Sequence, residues 1–188
     1  VAPLQFLGYD VEIHGALGHM QDSDRHASKV AGLIDKKSRK VLLSSGFPIQ
    51  VRNFTAAHEL AHAVMHDIRG MHRDRETNGL LSHRDGIERE ADLFASLFLM
   101  PNKLVQQAFE SRFGVSPFQW NEETRFALGG SIPHGRWQPT ARELCRLLSS
   151  TARFNGVSFI PLSKLFRVSD LAMSIRLEEL QLVSPSHV

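Results

Sequence analysis

Residues 53–67 read NFTAAHELAHAVMHD. Alanine, leucine and valine surround three polar side chains, His58, Glu59 and His62. The pattern predicts a helix capped by Asn53 or Thr55 and running to about Asp67. Positions i and i+4 of a helix lie on one face, about 6 Å apart along the axis. His58 and His62 can therefore aim ring nitrogens at one metal ion. Glu59 is turned about 100° from His58, which suits a general base for a water activated at the ion better than a ligand. Polar side chains in an otherwise apolar helix need partners when buried, and a metal supplies one. The bland alternative is a polar helix in a chain that holds ten histidines.

Catalytic zinc usually keeps three protein ligands and one open position. One scheme places a third histidine ten residues after the first. Here position 68 is Ile, and Met65 stands where that scheme has glycine. His66 lies about 12 Å along the axis from His58, too far for both to bond one ion, and is expected to be a solvated or capping residue near the helix end. A carboxylate from the next helix is the better source. The stretch DGIE, 85–88, is a capping pattern before an apolar helix that Pro101 stops. On that helix Glu88 shares a face with Ala91, Asp92, Ala95 and Leu99, and the alanines permit close approach to another helix. Asp92 can accept a hydrogen bond from a ligating histidine and set its tautomer. Glu90 points away from that face and is the weaker candidate. The expected set is His58, His62 and Glu88 on the metal, Asp92 behind them and Glu59 as catalytic base. A charged helix start favoured by the dipole would explain Glu88 alone, but not its pairing with the first helix.

Working outward, the first half of the chain predicts short strands. DVEIHG alternates, and Lys29–Asp35 with Lys40–Ser45 form the arms of a hairpin around KKSRK. Residues 67–85 are expected to be a polar loop. NKLVQQAFESRFG predicts a helix closed by Gly114, and 115–139 reads as irregular. Thr140 and Glu143 form a capping box for a helix to about Phe154 that Gly156 ends. The fold class expected is α+β: a small antiparallel or mixed sheet packed on a zincin-type helix, then a mostly helical C-terminal part with a helix-turn-helix-like end. The domains expected are 1–114 for a domain of sheet plus active-site helices, 115–139 for an irregular connection, and 140–188 for a helical subdomain.

Composition is that of a soluble globular protein, 42% hydrophobic and 22% charged. No apolar run reaches the roughly 18 residues of a membrane span, and no secretory signal opens the chain, although it starts at Val1. The single cysteine, Cys145, cannot form an internal disulfide, which fits a cytoplasmic location, and is expected to be a small buried hydrophobe. A formal charge of +2 is too mild to argue for nucleic acid.

The two motifs together resemble the ImmA/IrrE family of bacterial metallopeptidases. Arg52, Phe54 and Thr55 match that family's lead-in. Glu88, Ala91, Asp92, Phe94, Ala95, Leu99, Met100 and Pro101 match its second helix, with Phe98 in place of a usual Leu. The likeness is strong over about 29–110 and moderate over 160–183. Ala61 departs from a common Gly, and 115–139 has no counterpart. The resemblance implies a zinc-dependent endopeptidase, or one using manganese. Its substrate would be a helix-turn-helix transcriptional repressor whose cleavage relieves repression in mobile elements or in a stress response.

The residues suggest further parts. His72, His83, Arg84 and Tyr9 are candidates for the oxyanion donor. Lys40–Ser45 offers an edge for an added substrate strand. The tail, 161–183, outlines two helices about Val168-Ser169, with Lys164, Arg167 and Arg176 able to meet phosphates. Its leucine stripe (Leu171, Ile175, Leu177, Leu180 and Leu182) favours packing or partner binding over DNA. Two rival functions stand beside catalysis: a catalytically silent metal-binding regulator or antitoxin-type partner of a repressor, and a DNA-binding module.

Overall fold

The computed structural model describes residues 1–21, 27–67, 71–75, 86–129 and 138–184. The chain divides into two compact units, Val1–Leu99 and Met100–Val188. The fold is α+β, with a small mixed sheet and several helices.

The first unit opens with a short helix α1 (Ala2–Phe6), which sequence patterning did not indicate. Its Leu4 is buried in the core. Strands β1 (Asp10–His14), β2 (His19–Gln21), β3 (Ala27–Asp35) and β4 (Lys40–Ser44) run in the order β1-β4-β3-β2. β1 is parallel to β4, and β3 is antiparallel to β2 and β4. The expected hairpin is present, closed by an Asp35 turn in which Asp35 Oδ1 accepts from Lys37 N at 3.0 Å. A fifth strand, β5 (Met71–Arg75), also pairs with β3. This corrects the expectation of a loop throughout 67–85. β4 has β1 on one side and β3 on the other, so Lys40–Ser45 offers no free edge. The edge reading failed because DVEIHG was not recognised as its parallel partner.

Helix α2 (Ile49–Met65) begins earlier than expected. Pro48 is its N-cap, with φ −55 and ψ 153, and its carbonyl accepts from Arg52 N at 3.1 Å. Proline fixes φ and lacks the N–H that a helix start leaves unused anyway. Asn53 and Thr55 thus lie inside the helix. Leu4, Ile34, Val41, Leu43, Ala56 and Leu60 form the core between α2 and the sheet, with Tyr9, Val11, Ala63 and Phe94 packed around them. Helix α3 (Gly86–Leu99) lies on α2. Ala57, Ala61, Ala91 and Ala95 are all buried. Four methyl-sized side chains let the two helix axes come close. The expected cap at Asp85 lies outside the described residues.

The second unit contains α4 (Asn102–Phe113), β6 (Phe118–Gln119), α5 (Glu122–Leu128) and α6 (Ala141–Ser150), followed by β7 (Arg153–Phe154), β8 (Val157–Ser158), α7 (Leu162–Leu165), α8 (Asp170–Glu179) and β9 (Val183–Ser184). Gly114 ends α4 in the left-handed region at φ 70. The segment 115–139 is not wholly irregular: β6 pairs with β9, and Asn121 with Thr124 makes a capping box for α5. Helix α6 stops at Ser150, short of Phe154. Thr151 Oγ1 donates to Leu147 O at 2.8 Å and Ser149 Oγ to Arg146 O at 2.8 Å, so hydroxyls satisfy the last carbonyls. Asn155 and Gly156, at φ 47 and 79, instead turn the β7–β8 hairpin. In the tail, Met173, Leu177 and Leu182 are buried, whereas Leu171, Ile175 and Leu180 are half-buried. Arg176 is buried too. Its guanidinium donates to Met100 O, Asn102 Oδ1 and Glu179, so it is not free to meet a phosphate.

Candidate metal centre

Helix α2 carries His58, Glu59 and His62, and all three side chains are fully buried. Their burial follows from the faces the helix must present, since one stripe packs on the sheet and another on α3. The two histidines turn towards α3, where Glu88 and Asp92 stand one turn apart. His58 Nε2 lies 2.9 Å from His62 Nε2. Glu88 Oε2 is 3.3 Å from His58 Nε2, and Glu88 Oε1 is 3.5 Å from His62 Nε2.

The two ring nitrogens thus lie 2.9 Å apart, each has one Glu88 oxygen at 3.3 or 3.5 Å, and one ligand atom from each residue lies within 4.8 Å of the others. Two ligand atoms about 2.0–2.1 Å from a tetrahedral zinc stand about 3.3 Å apart. His58, His62 and Glu88 are a group that could hold a metal ion, and two imidazoles with one carboxylate suit zinc or a similar divalent ion.

Asp92 Oδ1 lies 3.0 Å from His58 Nδ1. With Nε2 turned to an ion, the ring would carry its hydrogen on Nδ1 and donate it to that carboxylate. Glu59 packs beside strand β3. A methyl group built on Gly32 of β3 would come within 2.9 Å of Glu59 Oε1 and would overlap Thr55 Cγ2. The β3–β5 ladder shifts register between Val30 and Gly32, a bulge or irregularity close to Glu59. Gly32 was overlooked in the sequence, yet a glycine inside VAGLID is itself a signal of close backbone approach.

Of the two readings expected for His66, a place at the helix cap holds and a solvated side chain does not. Its side chain is 7% exposed, and its Nδ1 lies 2.9 Å from His62 Nδ1. Glu90 reaches His66 Nε2 with Oε2 at 3.2 Å, although the helical wheel turned it away from the metal face. His66 is the C-cap of α2, with φ −112 and ψ 134. The backbone leaves the helix there, so positions extrapolated along the helix axis no longer apply. Of the oxyanion candidates, Tyr9 packs against the core cluster, and burial raises its hydroxyl pKa. His72 lies in β5, in register with Ile34. His83 and Arg84 lie outside the described residues.

The IrrE N-terminal-like domain family, Peptidase_M78, matches residues 13–118, more than half of the chain. The chain belongs to this family. No curated protein is similar enough to serve as a relative. The M78 match covers the whole candidate centre, both α2 and α3, and ends at β6 in the second unit. It makes this a metallopeptidase-family domain. No helix among the described residues is long and apolar enough to cross a membrane.

Proposed function

We propose that this M78 domain is a metal-dependent endopeptidase with Glu59 as general base. The observation that carries the reading is the convergence of His58, His62 and Glu88 beside a buried carboxylate that is not one of the three. A purely structural metal site is closed by four protein ligands. Among the described residues three candidate ligands converge, which would leave one position open.

Zinc or manganese held by His58, His62 and Glu88 supplies a Lewis acid that acidifies water and polarises the peptide carbonyl. Glu59 takes the attacking water's proton on a carboxylate oxygen and passes it to the leaving nitrogen as the C–N bond breaks. Asp92 holds His58 in the tautomer that leaves Nε2 unprotonated. Gly32 leaves room for the Glu59 carboxylate between helix and sheet. The ImmA/IrrE resemblance supports a helix-turn-helix repressor as substrate. The single buried cysteine is compatible with a reducing cytoplasm.

The test is a cleavage assay with the zinc- or manganese-loaded protein and the repressor encoded beside its gene. The parent should make one discrete cut. Glu59→Gln should bind metal equally and cut at least about 100-fold more slowly. Undiminished cutting by Glu59→Gln would remove Glu59 from the base role. Bound metal with no cut by either protein would favour a silent regulator.

A further inference from the structure

We infer that His66 is a positioning residue for His62, and that Glu90 in turn holds His66. The inference rests on the metal-centre reading and deepens it. The argument is a count of hydrogens. A neutral imidazole carries one N–H. If His62 Nε2 offers its lone pair to a metal, its hydrogen is on Nδ1. That atom lies 2.9 Å from His66 Nδ1, so His66 must accept there. The hydrogen of His66 is then on Nε2, where it donates to Glu90 Oε2 at 3.2 Å. Each contact has one donor and one acceptor only in this arrangement. The other tautomer of His66 would set two N–H groups against each other at 2.9 Å.

The same logic runs more briefly on the other ligand, where His58 Nδ1 meets Asp92 directly. Both histidines thus end on a carboxylate of α3, one directly and one through a second ring. His66 is itself fixed at both ends. Its side chain is 7% exposed, its ring centroid stands 5.0 Å from that of His62, and its backbone carbonyl accepts from Lys36 Nζ in the hairpin turn. A cap residue with no part in the centre would need neither an acceptor nitrogen facing His62 nor a carboxylate behind it.

The test is zinc affinity of the full chain, by competition with a chromogenic chelator, with the visible spectrum of the cobalt(II) form as a second readout. His66→Phe keeps a ring but offers no acceptor. His66→Asn returns an oxygen near the Nδ1 position. The parent should bind one zinc per chain. His66→Phe should bind 10- to 100-fold more weakly, the usual effect of losing a partner behind a ligand, and should alter the cobalt spectrum. His66→Asn should recover most of the affinity and the parental spectrum, and Glu90→Ala should show a smaller loss than His66→Phe. Parental affinity and spectrum in His66→Phe would overturn the inference. So would equal losses in the Phe and Asn variants that track a fall in metal-free unfolding temperature, because that is the behaviour of a packing residue. A parent that binds no zinc would overturn the metal-centre reading as well, and so separates the two failures.

Discussion

At Gly32 the β3 backbone runs so close to α2 that any side chain would press on Thr55 and the Glu59 carboxylate. Gly32→Ala should therefore act twice. It should destabilise the fold by about 1–3 kcal/mol, the usual cost of overpacking, read by urea unfolding. It should also lower peptide cleavage beyond what the unfolded fraction explains, while zinc affinity holds, because His58 and His62 face away from the strand. Unchanged cleavage in the folded variant would show that the room beside Glu59 is not needed. At this scale the sequence revealed much of the centre. Spacing of four placed His58 and His62 together, and helix geometry selected Glu88 and Asp92 over Glu90 for the metal face. It hid what depends on backbone away from the helix: Gly32 belongs to a strand, and His66 sits where the helix has already ended.

Capping chemistry governs the elements. Thr140 and Glu143 cap α6 reciprocally, with Glu143 Oε2 accepting from Thr140 N at 2.8 Å and from Thr140 Oγ1 at 2.9 Å. These bonds, the backbone one first, hold the Glu143 carboxyl below its ordinary pKa. A lowered folded-state pKa stabilises the fold above the unfolded value, near 4.3, and that stabilisation fades as pH falls through the lowered one. Glu143→Gln should therefore be less stable than the parent at pH 7, and the gap in unfolding midpoint should close as the pH falls below the ordinary carboxylate range. A gap independent of pH would mean that charge contributes nothing at this cap. Thr140→Ala should cost about 1 kcal/mol at pH 7 and less in acid, because the lost hydroxyl is one of the donors that lower the Glu143 pKa. The α6 cap was legible because both partners are local in sequence. The end of α6 was not, since a run of serine and threonine can continue a helix or terminate it through its hydroxyls, and the Asn155-Gly156 turn decides only once β7 and β8 pair.

Across the whole molecule, the α+β class was readable from the change of period between the first strands and the later helices. The partner of β4 was not, because a parallel pair joins segments far apart in sequence. The chain carries one cysteine, and it is fully buried. Burial pushes the Cys145 thiol up to about 12, so the nucleophilic thiolate is scarce at neutral pH. Alkylation at pH 8 should be on the order of 100-fold slower than for a free thiol and should become fast in denaturant. Rapid labelling of the native protein would show that the second unit opens readily.

Strand β1 stands at the end of the sheet order among the described strands, and its sequence is DVEIH. Asp10 is exposed and Glu12 half-buried, and both approach Lys40 on the neighbouring strand, at 3.9 and 3.3 Å. A second copy of this protein adding in parallel and in register to that border would set Asp10 against Asp10 and Glu12 against Glu12. Like charges directly across a strand pair repel, and charged borders are a common protection against runaway stacking. The short strand that completes the sheet therefore also guards the protein against polymerising into aggregates through its own backbone.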